Sequence, residues 1–177
     1  MPVDRMVAAP EWHWLIVFYF FIGGIAGGIA FIGALAALAG DERMKPVVYW
    51  AAFIPFPLAL ICGVLLILDL TRPERFWHML LQSETFWPMF KYWSPISYGS
   101  WLLLGFSGLA FIHLVAALVG DHQSSFLGRL SWLSRLLGGG LLGRLFQALL
   151  LIFGYLFASY TGTLVRASRR TNERFSP

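Results

Sequence analysis

Three side chains of this sequence have the chemistry to exchange a proton or to hold a ligand oxygen, and each lies near the end of an apolar stretch. His13 precedes the first stretch, Asp69 lies at the end of the second and Tyr160 lies near the end of the fourth. An imidazole titrates near neutral pH, a carboxylate can accept a proton, and a phenol can hydrogen-bond an oxygen atom. If the fold brings them together, residues of these types could form one site.

Each of the three residues also has a simpler interpretation. His13 lies beside two tryptophans and could sit among lipid headgroups, and Tyr160 could be an interfacial anchor. Asp69 could pair with Arg72, three residues later, and stabilise only the end of a helix. A carboxylate at the edge of a membrane costs free energy unless it is paired or used. The sequence leaves these alternatives open, and only the convergence of all three favours a functional site.

The composition is that of an integral membrane protein. Hydrophobic residues make up 58% of the 177 residues and charged residues only 12%, about half the charge of a soluble domain. Apolar stretches long enough to cross a bilayer, which takes about 20 helical residues, cover residues 14–39, 47–70, 98–119 and 145–165. Strands of a transmembrane barrel are shorter. The predicted fold class is an all-α, four-transmembrane-helix bundle, in a single membrane domain over residues 1–177.

The order of the helices predicts where polar residues meet. If the helices cross in succession, the start of the first, the end of the second, the start of the third and the end of the fourth lie at one membrane face, here called the working face. Candidate site residues at this face are Glu11, Trp12, His13, Asp69, Ser97, Tyr98, Trp101, Tyr160 and Thr161. The opposite face has no such collection within the helices, although His113 lies near it. We interpret His113 as a hydrogen-bonded packing residue.

The connections are expected to carry short interfacial helices. Residues 71–95, on the working face, contain Pro73, which suits the first turn of a helix, and many aromatic side chains. These rings fit an interfacial aromatic belt or a docking surface. On the opposite side, apolar residues at helical spacing in residues 126–137 predict a helix lying in the interface.

Small residues and prolines predict how the helices pack. Gly23, Gly24, Gly27 and Gly28 form two small-xxx-small pairs in the first helix, which allow a neighbouring helix to approach closely. Pro55 and Pro57 should kink the second helix, because each lacks a backbone donor. Cys62, the single cysteine, lies within the second helix and is most simply a packing residue.

Four segments, in order along the chain, resemble one family. They read FYFFIGGIAGG, LDLTRPERFW, SPISYGSW and YTG, and are similar to the membrane subunits of the NrfD and polysulfide-reductase type, which are related to the quinone-reactive subunits of alternative complex III. The resemblance implies a helical bundle that binds a quinone (menaquinone or ubiquinone) near one face and carries no metal or haem. It implies a location in the cytoplasmic (inner) membrane of a bacterium or archaeon, and a role in a respiratory complex.

Carried onto this chain, the resemblance places His13, Asp69 and Tyr160 around the quinone head group. The residues expected to line that site are Glu11, Trp12, Ser97, Tyr98, Trp101 and Thr161. An iron–sulfur protein would dock on residues 71–95, with a further catalytic or cytochrome subunit, other membrane subunits and lipids as additional partners. The residues expected to contact the iron–sulfur protein are Arg72, Pro73, Arg75, Phe76 and Trp77. The chain would not be an enzyme alone, and nucleic acid is not expected as a partner.

Two other classes of function compete with this prediction. A haem-binding cytochrome b needs two ligands at matching depth, but His13 and His113 are predicted at opposite faces. A structural anchor or assembly subunit without its own quinone chemistry is the stronger alternative. Membrane orientation is also open, because the Lys and Arg distribution favours a cytoplasmic working face whereas the resemblance favours a periplasmic one.

Overall fold

The structure is a computed structural model that describes residues 14–69, 95–121, 132, 136–137 and 140–174, with side chains left out at 95–96, 121 and 161–174. The α-helices are α1 (Trp14–Ala39), α2 (Lys45–Phe53), α3 (Pro55–Leu68), α4 (Pro95–Asp121) and α5 (Gly140–Arg174), with a short 3-10 helix at Glu42–Met44. Segments long and apolar enough to cross a membrane are Trp14–Ala39, Glu42–Leu68, Ser97–Gly120 and Gly140–Tyr160. The predicted fold class is confirmed, and the chain is a multi-pass membrane protein.

The second span is interrupted at its prolines, as predicted. α2 ends at Phe53 and α3 begins at Pro55, because Pro55 has no backbone N–H to continue the hydrogen-bond ladder. The ladder recovers at Leu58, whose N–H donates to the carbonyl oxygen of Ile54 at 3.4 Å. α2 and α3 therefore act as two halves of one crossing.

The connection between the first two spans is short and locally capped. Gly40, with φ of +69°, donates its N–H to the carbonyl oxygen of Ala36 at 3.3 Å and ends α1, a conformation that favours glycine. The Asp41 side chain then accepts from the N–H of Arg43 at 3.0 Å and starts the 3-10 helix. This turn reverses the chain at the face opposite the working face.

The spans form a four-membered ring in which each packs on its neighbours. α1 packs on α2, α3 and α5, and α4 packs on the same three helices, so α1 and α4 lie on one diagonal. Side chains that are completely buried at the centre are Ala26, Ala30, Ala34, Cys62, Phe106 and Phe157. The Phe106 and Phe157 rings stack at 4.8 Å between centroids and hold α4 against α5. Large apolar residues such as Trp14 and Phe21 are exposed on the outside, where lipid would cover them.

The backbones of α1 and α5 approach each other closely at Gly27 and Gly154. A Cβ atom on Gly27 would lie 2.7 Å from the carbonyl oxygen of Gly154, and one on Gly154 would lie 2.9 Å from the carbonyl oxygen of Gly27. A Cβ on Gly28 would meet nothing within 4 Å. The predicted small-residue packing of the first helix is confirmed at Gly27.

Cys62 should be chemically protected by this packing. Its side chain has 0% exposure, and its Sγ donates to the carbonyl oxygen of Tyr19 at 3.7 Å. We expect N-ethylmaleimide to label Cys62 in the denatured protein only, measured by intact-mass spectrometry. Rapid labelling in native membranes would show that α1 and α3 do not pack as described.

The helices of the third and fourth spans are longer than the hydropathy prediction at both ends, and α5 begins at Gly140 rather than at the predicted residue 145. α4 begins earlier, at Pro95, where proline is accepted because the first helical residues need no N–H partner. α5 continues to Arg174, past the predicted end of the fourth apolar stretch at residue 165, because residues 163–174 contain no glycine or proline that would end the helix. The predicted interfacial helices in residues 71–95 and 126–137 fall almost entirely outside the described residues.

Candidate functional site

At the working face the start of α4 lies against α5, as the helix order predicts. The ring of Tyr160 in α5 packs against Gly99 of α4. A Cβ atom added to Gly99 would lie 2.7 Å from Cζ and 2.8 Å from Cε1 of that ring. The rings of Tyr98 and Tyr160 are 5.7 Å apart between centroids. Tyr160 is half-buried and packs against the central core, so its side chain points into the bundle.

Tyr19 extends this arrangement to the first helix. It is buried in the same core cluster against which Tyr160 packs. Cys62 of α3 contacts the Tyr19 backbone. We call Tyr19, Tyr98 and Tyr160 the tyrosine cluster. It joins α1, α4 and α5, and through Cys62 it also touches α3.

Asp69 lies on the working-face side of this cluster. It follows Leu68 at the end of α3, is half-buried, and donates its N–H to the carbonyl oxygen of Leu65 at 3.0 Å. Two helical turns, about 10 Å, separate it along the helix from Cys62. A carboxylate at a helix C-terminus faces the negative end of the helix dipole, which is unfavourable. Asp69 is therefore placed where it does not stabilise its own helix.

Buried hydroxyl groups on α4 add further polar atoms near the same face. Ser97 and Ser100 are buried, Trp101 is half-buried and Tyr98 is partly exposed. Of the predicted site residues, the structure thus describes the side chains of Ser97, Tyr98, Trp101, Tyr160 and Asp69. Thr161 is described only as part of the α5 backbone. The predicted residues outside the described set are Glu11, Trp12, His13, Arg72, Pro73, Arg75, Phe76 and Trp77.

His113 has the packing role expected from the sequence. Its Nε2 lies 3.4 Å from the amide nitrogen of Gln147, and both side chains are buried. Its ring also contacts Phe146, with centroids 5.9 Å apart. Within the described ranges, no group of three or more His, Cys, Asp or Glu side chains is placed to hold a metal ion.

Sequence reasoning did not single out Tyr19 or Gln147. Both had a signal available, because Tyr19 is the single tyrosine of the first apolar stretch and Gln147 is the single amide side chain within all four. A polar group within a membrane helix usually faces the bundle interior. The sequence does not specify how the helices pack, so it could not predict which neighbouring helix Tyr19 or Gln147 would face.

Comparisons with known proteins agree with the resemblance read from the sequence. A selenate reductase subunit of Mesobacillus selenatarsenatis is 28% identical over 85 residues, which are 48% of this chain and 20% of that protein. The match thus spans about a fifth of the relative's length. No solved structure gives a significant match. The family model described as polysulphide reductase, NrfD, matches residues 3–171, nearly the whole chain, and the chain therefore belongs to the NrfD family.

Proposed function

We propose that this chain is a quinone-binding membrane anchor subunit of a multi-subunit redox complex, which exchanges electrons between the membrane quinone pool and an iron–sulfur partner subunit. Family membership and the partial match to a protein of a selenate reductase support a role as the membrane subunit of a reductase complex. The oxidised or reduced substrate of the complex would then be set by the partner subunits.

The observation that carries this proposal is the tyrosine cluster. The rings of Tyr98 and Tyr160 are in contact, Tyr19 lies in the core against which Tyr160 packs, and Asp69 follows α3 on the same side of the bundle. Hydroxyl groups at membrane depth can hydrogen-bond the oxygens of a quinone head group, while surrounding apolar side chains accept its tail. A quinone bound at this face could therefore accept hydrogen bonds from Tyr98 and Tyr160.

The proposed chemistry divides between three residues. His13 and Asp69 would take up the two protons that a quinol releases on oxidation, and its two electrons would leave one at a time through the iron–sulfur centres of the docked partner. Tyr160 holds one oxygen of the ring by a hydrogen bond. Glu11, Trp12 and Thr161 would complete the lining, and reduction of a quinone would run these transfers in reverse.

Docking of the partner is proposed for residues 71–95, on the same face. Arg72 and Arg75 would pair with acidic groups of the iron–sulfur subunit, and Pro73, Phe76 and Trp77 would pack against it. An iron–sulfur centre of the partner would then lie near the tyrosine cluster. Electrons would cross only a short distance between that centre and a quinone bound there. These residues lie outside the described ranges, so the proposal rests on the family and the helix order.

A glycine on α4 provides a test of the site. Gly99→Ala places a methyl group against the Tyr160 ring, which must move. We expect quinone-linked turnover of the assembled complex to fall about tenfold, which corresponds to a rise of about 1.4 kcal/mol in the activation free energy. Tyr160→Phe keeps the ring but loses the hydroxyl, and a comparable loss is expected. Turnover per assembled complex would be measured with a short-tailed quinol.

Gly108→Ala is the matched control on the same helix, because its Cβ would meet nothing within 4 Å. It should leave turnover unchanged. If Gly99→Ala and Tyr160→Phe also assemble and turn over normally, the tyrosine cluster does not bind the quinone. The structural-anchor alternative would then be the better account of the chain.

A further inference from the structure

A quinol bound at the working face needs a route for its tail into the bilayer. The head group is polar, but the tail is a long apolar chain whose exposure to water would be unfavourable. Because the four spans form a ring, the tail must pass between two neighbouring spans. The lines along which neighbours pack are the α1–α5, α4–α5, α1–α3 and α3–α4 seams, and these differ just below the working face.

Both seams beside α5 are closed at this depth. A Cβ on Gly27 would lie 2.9 Å from the backbone nitrogen of Ala158, which is two residues from Tyr160. Backbone atoms of α1 and α5 therefore touch. In the α4–α5 seam, a Cβ on Gly105 would lie 2.6 Å from Cε1 of the Phe153 ring. Neither seam leaves room for an apolar chain.

The α1–α3 seam is also closed. Cys62 Sγ donates to the carbonyl oxygen of Tyr19 at 3.7 Å, and both residues belong to the buried core. Gly63, the next residue of α3, is rotated by about 100° around the helix axis. It therefore faces away from this contact.

The α3–α4 seam is closed by aromatic rings only in the half away from the working face. There the Phe56 and Phe111 rings are in contact, with centroids 5.0 Å apart. Seven residues make two helical turns, so Gly63 lies on the same side of α3 as Phe56, about 10 Å closer to the working face. By the same spacing Leu104 lies on the side of α4 that carries Phe111. A Cβ on Gly63 would meet no atom of the described residues within 4 Å, and Leu104 is 49% exposed.

The open part of this seam adjoins the proposed head-group site. Asp69 lies on the same helix as Gly63, about 9 Å closer to the working face. Ser97, at the start of α4, lies about 10 Å from Leu104 along that helix. A tail attached to a head group near Asp69 therefore reaches the bilayer between a glycine and a leucine, which offer an apolar and narrow passage.

We propose that the quinol tail leaves the bundle through the α3–α4 seam at Gly63, and that its contacts there favour quinols with a tail over tail-less ones. The identity of the occupant rests on the proposed function, because only a ligand with its head group at the working face needs this exit. The position of the exit rests on the packing of the four seams. The proposal concerns binding and includes no chemical step.

Gly63→Phe tests the exit, because it would place at this depth a ring like the one that closes the seam at Phe56. The assembled complex in lipid nanodiscs would be assayed with decylubiquinol and with ubiquinol-0, which has the same ring and no tail. We expect the ratio of kcat/KM for decylubiquinol to kcat/KM for ubiquinol-0 to fall about tenfold, as when a few methylene contacts are lost. An unchanged ratio in the assembled variant would overturn the proposal.

Gly108→Phe is the matched control for that variant. Gly108 is exposed on α4, and its Cβ would also meet nothing within 4 Å. The same ring would therefore be added to the outside of the bundle, and the ratio should not change. An equal fall of the ratio in Gly108→Phe would show that an added ring acts through the bilayer and would overturn the exit at Gly63.

Photo-cross-linking locates the tail in the wild-type complex, so it tests the exit even if Gly63→Phe does not assemble. Decylubiquinol with a diazirine on its tail would be illuminated in the complex, and adducts would be mapped by mass spectrometry. We expect adducts on residues 60–67 of α3 and 101–108 of α4 that unlabelled decylubiquinol displaces. Displaceable adducts only on α1 or α5 would overturn the exit and leave the proposed function standing. Absence of displaceable adducts from the whole chain would contradict the proposed function as well, so the two failures are distinguishable.

Discussion

Asp69→Asn is expected to reduce quinone-linked turnover of the assembled complex by about 100-fold, the lower end of the range for a lost proton-transfer group. The amide has nearly the same shape but cannot take up a proton. Assembly should not suffer, because the carboxylate ends α3 at the negative end of the helix dipole. Removing that charge should be neutral or stabilise the fold by about 0.3–1 kcal/mol. Turnover and the amount of each protein in the complex would be measured on the same purified sample.

Asp121→Asn is the matched control for this prediction. Asp121 is the last residue of α4, so the same chemical change is made at a helix C-terminus on the opposite face. It should leave turnover unchanged. If Asp69→Asn retains turnover within twofold of the wild type, Asp69 does not transfer protons, and its role would be limited to a structural pairing with Arg72.

Gly27→Ala should have the largest effect on stability. Its new Cβ would meet the Gly154 carbonyl oxygen and the Ala158 backbone nitrogen at 2.7 and 2.9 Å. Because these are backbone atoms, α1 and α5 must separate, and we expect a loss of about 1–3 kcal/mol in the free energy of unfolding. Gly27→Leu should prevent accumulation in the membrane. Thermal unfolding of the detergent-solubilised complex would measure the first effect, and immunoblotting of membranes the second.

The neighbouring glycine provides the control for that contact. Gly28→Ala enters open space and should be neutral or stabilising by up to about 1 kcal/mol, because alanine favours helix. Gly154→Ala should resemble Gly27→Ala, and the double variant should cost less than the sum, because both methyl groups force apart the same contact. Equal effects of Gly27→Ala and Gly28→Ala would contradict the packing of α1 on α5.

The fold was predictable from the sequence because each span is a long apolar run. The break before Pro55 and the close approach at Gly27 followed from residue types whose backbone effects are local. The extension of α5 to Arg174 was not predicted, because a helix outside the hydrocarbon needs no apolar side chains and so leaves no hydropathy signal.

The candidate site was only partly predictable. Helix order brings Asp69 and Tyr160 to one face, since successive crossings alternate direction. It does not specify rotation about each helix axis, which decides whether a side chain faces a neighbouring helix or lipid. Tyr19 and Gln147 were missed for this reason, because Tyr19 shares a core with Tyr160, and Gln147 meets His113, only through the packing of different spans.

The position of a bound quinol in a structure of the assembled complex tests the central proposal most directly. We predict density for the ring at the working face, between the start of α1 and the ends of α3 and α5, with its oxygens near His13, Asp69 and the Tyr160 hydroxyl. Density for the ring only at the opposite face, or Asp69 and Tyr160 in contact with lipid and no ring between them, would contradict it.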